Sequence, residues 1–188
     1  MFRPLVLGLG LATLSFAAAQ AAPAKWAVDA GGSRLGFSSK YSGDAFTGMF
    51  RRWTADIAFD PAQLAASKIV VSVDMTSVTT NDPDRDETLP TGEWFDSKKF
   101  PRAVFTSTAI KAAGPGRYTA AGTLNLKGVT RPATLNFGLK ITGDKAEANG
   151  AVTIDRSQFG VGQGQFKGGD AIPLAVNVGF TVKATRVK

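Results

Sequence analysis

The chain has 188 residues, a formal charge of +7, and neither His nor Cys. Those two absences remove imidazole bases, thiolate nucleophiles, His/Cys zinc centres and His- or Cys-ligated haem. The length suits one domain whose core needs no disulfide staples, and the basic excess is scattered along the chain, which reads mainly as solubility.

Residues 1–21 read as a secretory signal peptide. Arg3 precedes an apolar run from Leu5 to Leu14, and the small residues around Ala19 and Ala21 supply an A-x-A cleavage site. The run falls short of the ~20 residues that a membrane span needs. Cleavage after Ala21 leaves residues 22–188 as a single exported domain with charge +6, because Arg3 departs with the leader.

From Trp26 onward, period-two alternation dominates. In WTADIAF, Trp53, Ala55, Ile57 and Phe59 share one face; in KIVVSVDMT, Ile69, Val71, Val73 and Met75 do the same. The basic residues beside Trp53 resemble a single-stranded nucleic-acid patch, but Trp53 shares its face with Ile57 and Phe59 and is assigned to the interior, so no nucleic-acid partner is expected. The next stretch, NDPDRDETLPTGEWF, breaks the alternation and predicts a short helix near residues 84–95. Asp82, Asp84, Asp86 and Glu93 match positions 1, 3, 5 and 12 of a calcium-binding EF-hand loop, yet Glu87 occupies the sixth position, where the turn requires Gly. A solvated rim whose acids favour a helix N-terminus is the better reading, and no metal site is expected.

Further strands follow at RYTAAGTLNL, at Leu135, Phe137, Leu139 and Ile141, and at KAEANGAVTI with Val152 and Ile154. A turn is predicted at DRSQF. FGVGQGQFKGG carries Gly160, Gly162 and Gly164, but Gln165 stands where a dinucleotide fingerprint needs its third glycine, so a flexible connection at a barrel mouth is expected. The last strand is read from Ile172 through Leu174, Val176, Val178 and Phe180 to Val182. About eight strands separated by turn signals predict an antiparallel sandwich or barrel. Ala120, Gly122, Ala146, Ala148 and Gly150 face inward by strand parity. Native cores have few voids, so either other side chains or a ligand fill the space beside them.

The segments GEWFDSKKFPRAVFTST, AAGTLNLKGVTRPATLNF and DRSQFGVGQGQF together resemble the YceI-like family of bacterial periplasmic polyisoprenoid-binding proteins, over about Trp26 to Ala184. The resemblance implies an all-β fold, an extended eight-stranded antiparallel barrel similar to lipocalins, with an elongated apolar tunnel for an isoprenoid lipid or a quinone tail. It implies a periplasmic, non-enzymatic binder or shuttle without catalytic residues or a cofactor beyond the non-covalently held lipid. It also implies possible contacts with a membrane, a b-type cytochrome or a second copy as a homodimer. The rival readings are an enzyme acting on a polyprenyl or quinone substrate and a calcium-dependent structural or adhesion module.

On this basis the expected ligand wall comprises Phe37, Tyr41, Phe46, Trp53, Ile57, Val71, Val73, Met75, Leu89, Trp94, Phe95, Phe105, Gly122, Leu124, Phe137, Ala148 and Phe159. Asp82, Arg85 and Asp86 sit where the family carries its D..RD..L segment and form the expected rim, with Arg85 and Asp86 as an ion pair. Tyr41 and Thr88 stand where many members carry His, so no imidazole meets a ligand head group here.

Overall fold

The computed structural model describes residues 22–188; the leader assigned to residues 1–21 lies outside the described residues. Among them are the strands β1 (Lys25–Val28), β2 (Arg34–Tyr41), β3 (Asp44–Phe50), β4 (Trp53–Ala58), β5 (Lys68–Asp74), β6 (Val78–Thr79), β7 (Arg102–Ala112), β8 (Arg117–Leu126), β9 (Val129–Thr142), β10 (Lys145–Asp155) and β11 (Ala175–Arg186). One short helix, α1 (Pro83–Thr88), lies between β6 and β7.

The eleven segments reduce to eight long strands, because three of them are interrupted in mid-course. β1 and β2 both pair with β11, at Ala184–Arg186 and at Asn177–Thr181. In the gap the Ser33 hydroxyl stands in for the ladder: it accepts from the Lys183 N–H at 2.9 Å and donates to the Lys183 carbonyl at 3.3 Å. β3 and β4 break at Arg51 and Arg52, whose amides donate to the Ser77 carbonyl and hydroxyl. β5 and β6 break at a single 3₁₀ turn over Met75–Ser77, capped by the Asp74 carboxylate. With these interruptions joined, each strand pairs antiparallel with its neighbour in sequence, and β11 closes on β1. Closure leaves the ring without a free edge. Residues β7 and β8 slip register between Ser107 and Ala109, where the Ser107 hydroxyl accepts from the Ile69 N–H at 2.8 Å.

The barrel is elongated: β9 alone has 14 residues, on the order of 45 Å at the usual rise. Its interior side chains gather at two ends. Trp26, Phe59, Phe105, Ile110, Ala120, Phe137 and Ala184 form one buried cluster. Met75, Leu89, Trp94, Phe159, Val161 and Ile172 belong to the other, near α1. Trp26 is fixed within its cluster by donating its indole N–H to the Phe59 carbonyl at 3.0 Å.

Three expectations need correction. The final strand starts at Ala175, not Ile172; Ile172 is buried in the helical-end cluster, and Pro173 has no N–H to give a ladder. The helix ends at Thr88 instead of continuing to Phe95, and residues 89–100 run on as hydrogen-bonded turns. The glycine-rich segment after Phe159 does lie at one end of the barrel, but it is tied down: the Gly162 and Gln163 amides both donate to the Glu93 carbonyl, at 2.8 and 2.9 Å.

Candidate functional site

A cavity of about 530 Å³ runs inside the barrel and touches both apolar clusters. Its wall is built from the inward rows of alternating strands: Leu35, Phe37, Ser39 and Tyr41 of β2; Ile69, Val71 and Val73 of β5; Ala133, Leu135, Phe137, Leu139 and Ile141 of β9; Val176, Val178, Phe180 and Val182 of β11. Period two delivers every second side chain to this space, which is why single-face alternation in the sequence marks the wall. Phe46, Trp53, Ile57, Met75, Leu89, Trp94, Phe95, Phe105, Leu124 and Ala148, all named in the expected wall, also line it.

Gly122, Phe159 and Asp86 do not line it. A Cβ on Gly122 would lie 2.9 Å from Phe105 Cζ and would also collide with the Thr106 carbonyl, so a ring from the neighbouring strand already covers that site. Gly150 is covered in the same way by Phe180, whose Cζ would stand 2.8 Å from an added Cβ. Small inward residues therefore serve two purposes here: the glycines seat aromatic rings, whereas Ala146 and Ala148 face open cavity. Phe159 sits on a 3₁₀ turn over Arg156–Phe159, outside any strand parity, and packs in the cluster with Trp94.

The rim forms at α1, where Asp82, Asp84, Arg85 and Thr88 border the cavity. Asp82 is the N-cap, accepting from the Arg85 amide at 3.1 Å, and Pro83 occupies the first helical turn. The expected Arg85–Asp86 ion pair is absent. Arg85 instead pairs with Asp82 at 3.0 Å and lies 5.0 Å above the Phe46 ring. Asp86 turns inward to the backbone, accepting from Thr79 Oγ1 at 2.6 Å, the Thr80 N–H at 2.6 Å and Thr80 Oγ1 at 2.7 Å. Burial alone would raise its carboxyl, but these hydrogen bonds, with a smaller pull from Arg85, outweigh it and hold the pKa below the ordinary carboxylate value. Asp86 is thus an anchor for the helix and not part of the cavity border.

Arg156, which the sequence pattern leaves as an ordinary turn residue, is only 3% exposed and borders the cavity. Its five N–H groups all donate to backbone carbonyls: Pro173, Val161, Gly162, Phe166 and Ile172, at 2.6–3.1 Å. It gathers the whole returning segment between β10 and β11 around one guanidinium, and burial lowers its pKa despite the opposing field of Asp155. Lys127 makes a similar tie on the outside, donating to the Gly92 and Gly160 carbonyls at 2.7 Å each. No sequence signal distinguishes these two cations from their solvated neighbours.

Chemically, the site is a hydrocarbon-walled space whose bordering cations, Arg85 and Arg156, are already engaged. Among the described residues no three His, Cys, Asp or Glu side chains converge as a metal site would require, so Asp82, Asp84, Asp86 and Glu93 do not assemble into a cation loop. Among those residues no helix is long and apolar enough to cross a membrane.

Residues 26–184 match the family model described as the YceI-like domain. A UPF0312 protein of Yersinia enterocolitica is 38% identical over 146 residues, covering 76% of this chain and 74% of its own. The crystal structure of Burkholderia cenocepacia BcnA superposes with a TM-score of 0.81 at 30% identity, covering 85% of this chain and all of that one. A Saccharophagus degradans domain described as polyisoprenoid binding shares the fold, with a TM-score of 0.67 at 17% identity over 88% of this chain and 99% of that one.

Proposed function

This chain belongs to the YceI-like family, and from that premise we propose that it is a carrier that sequesters a long isoprenoid chain, a polyprenyl lipid or a quinone tail, in the barrel cavity. The observation that carries this reading is the cavity wall itself. Nearly every lining side chain is aliphatic or aromatic, and the charged groups are confined to Asp82, Asp84, Arg85 and Arg156. Transfer of hydrocarbon from water into such a space is worth ~0.8 kcal/mol per CH₂, so each five-carbon isoprene unit gains several kcal/mol as an upper value. The fold shared with a domain described as polyisoprenoid binding points the same way.

The carrier needs no covalent step. Residues 1–21, read as an export signal, place it in the periplasm under this proposal, where it would pass the lipid between a membrane and a protein acceptor such as a b-type cytochrome. The aromatic rings over Gly122 and Gly150 narrow the bore, while Ala146 and Ala148 leave it open.

The test is Ala148→Phe. Ala148 stands in register with Leu139 and Val182, and all three line the cavity. The added ring is expected to fill the tunnel and exclude the lipid while the delipidated protein melts within a few degrees of the parent. In a close-packed interior the same change costs ~1–3 kcal/mol through overpacking. A variant that melts markedly lower yet still carries lipid would move the ligand elsewhere.

A further inference from the structure

Among the described residues, two buried side-chain polar atoms lack a hydrogen-bond partner within the protein, the Trp94 indole N–H and the Ser39 hydroxyl. Both residues line the cavity. Trp94 is 7% exposed, and its ring is held in place by Phe166, with centroids 5.3 Å apart, and by the Arg156 guanidinium 5.7 Å away. The Trp26 indole, equally buried, bonds to a carbonyl at 3.0 Å. A buried donor without an acceptor is more costly than a satisfied one is favourable, which is why native interiors rarely keep one. Two such atoms on residues of one apolar wall leave hydrogen bonds for an occupant to complete.

The charges around the same space specify what kind of occupant. Arg85 is shared with Asp82 at 3.0 Å, and every N–H of Arg156 is committed to a backbone carbonyl. Asp82 and Asp84 add negative charge to the rim. A pyrophosphate needs unengaged cationic donors, and this wall offers none.

Building on the carrier reading, we propose that Trp94 and Ser39 form a head-group subsite that selects isoprenoids ending in an uncharged hydrogen-bond acceptor, such as a quinone carbonyl, over prenyl pyrophosphates. Trp94 donates to the acceptor from a rigid ring, and Ser39 gives a second donor from the inward row of β2. The hydrocarbon wall holds the tail; these two residues set which end the tail can carry.

The experiment uses three probes of equal chain length on the full protein: phytane, which has no head, menatetrenone, which ends in a dione, and geranylgeranyl pyrophosphate. Binding is measured by calorimetry, and indole N–H resonances are followed by proton–nitrogen NMR, with Trp94 assigned by its loss in Trp94→Phe and Trp26 as internal reference. The wild type is expected to bind menatetrenone more tightly than phytane and geranylgeranyl pyrophosphate. The Trp94 resonance should move downfield with menatetrenone and not with phytane. In Trp94→Phe and in Ser39→Ala the preference for menatetrenone over phytane should fall about three- to tenfold, the span that one hydrogen bond commands. Ser39→Ala removes little volume, so the result does not depend on Trp94→Phe folding well. A Trp94 resonance that stays put with menatetrenone, because a water already holds it, overturns the subsite, as does a preference unchanged in both variants or tighter binding of the pyrophosphate. Failure of the wild type to bind either phytane or menatetrenone instead contradicts the tunnel reading beneath it.

Discussion

Asp86 shows how much one carboxylate can hold. It accepts three hydrogen bonds from Thr79 and Thr80, so Asp86→Ala strands the buried Thr80 amide and two hydroxyls. The expected loss is about 2–4 kcal/mol in urea denaturation, since bonds to a charged acceptor are the stronger ones. Arg85→Ala removes only a partly exposed pair and should cost no more than ~1 kcal/mol. The pH dependence has a definite sign. The folded pKa of Asp86 is lowered, so its contribution is complete above the ordinary carboxyl value of 3.8 and fades as pH falls through the lower folded value. The gap between wild type and Asp86→Ala should therefore narrow as acid is added below that point; a gap that widens would contradict the assignment. The sequence reading put this residue in the rim, paired with Arg85; it lies off the cavity border, and the pairing fails for a geometric reason. Neighbouring residues on a helix point about 100° apart, so Arg85 cannot face Asp86, whereas Asp82, three residues back, lies within its reach.

At the scale of elements, alternation made the strands legible and the turns between them less so. Trp53, Ala55, Ile57 and Phe59, and likewise Ile69, Val71, Val73 and Met75, face the cavity as their periodicity requires. Gly122 was misread because parity gives a direction and not what a neighbouring strand lays across it; Phe105, from β7, covers the site. The segment between β10 and β11 was misread because glycines suggest freedom. Gly160, Gly162 and Gly164 do take positive φ, at 64°, 74° and 61°, but a side chain at Gly162 would strike the Arg156 guanidinium. The glycine there permits close approach of a buried cation. Arg156→Met keeps the apolar stem and removes all five bonds. Hydrogen exchange should accelerate over residues 161–173, with stability lowered by about 2–4 kcal/mol. Protection unchanged from wild type would mean that the contacts to Glu93 hold the segment without the guanidinium.

For the whole molecule, about eight strands with turn signals between them left a sandwich and a barrel both open, and the resemblance to the family implied the closed ring that β11 completes on β1. The sequence pattern does not carry the three mid-strand breaks: two depend on the Ser33 and Ser77 hydroxyls meeting the backbone of Lys183 and Arg52, far away in sequence, and the third is a turn capped locally by Asp74. Nor does it reveal the two unpaired donors of Trp94 and Ser39, which exist only once the wall has closed around them. The central claim is that this closed wall holds an isoprenoid chain. The direct measurement is to express the full chain, residues 1–188, in a quinone-producing bacterium, purify it without detergent, extract it with organic solvent and quantify the extract by mass spectrometry. The account predicts about one isoprenoid-chain lipid per protein in the wild type and a much smaller amount in Ala148→Phe; an extract free of isoprenoids, or one holding only fatty acids and phospholipids, would contradict it.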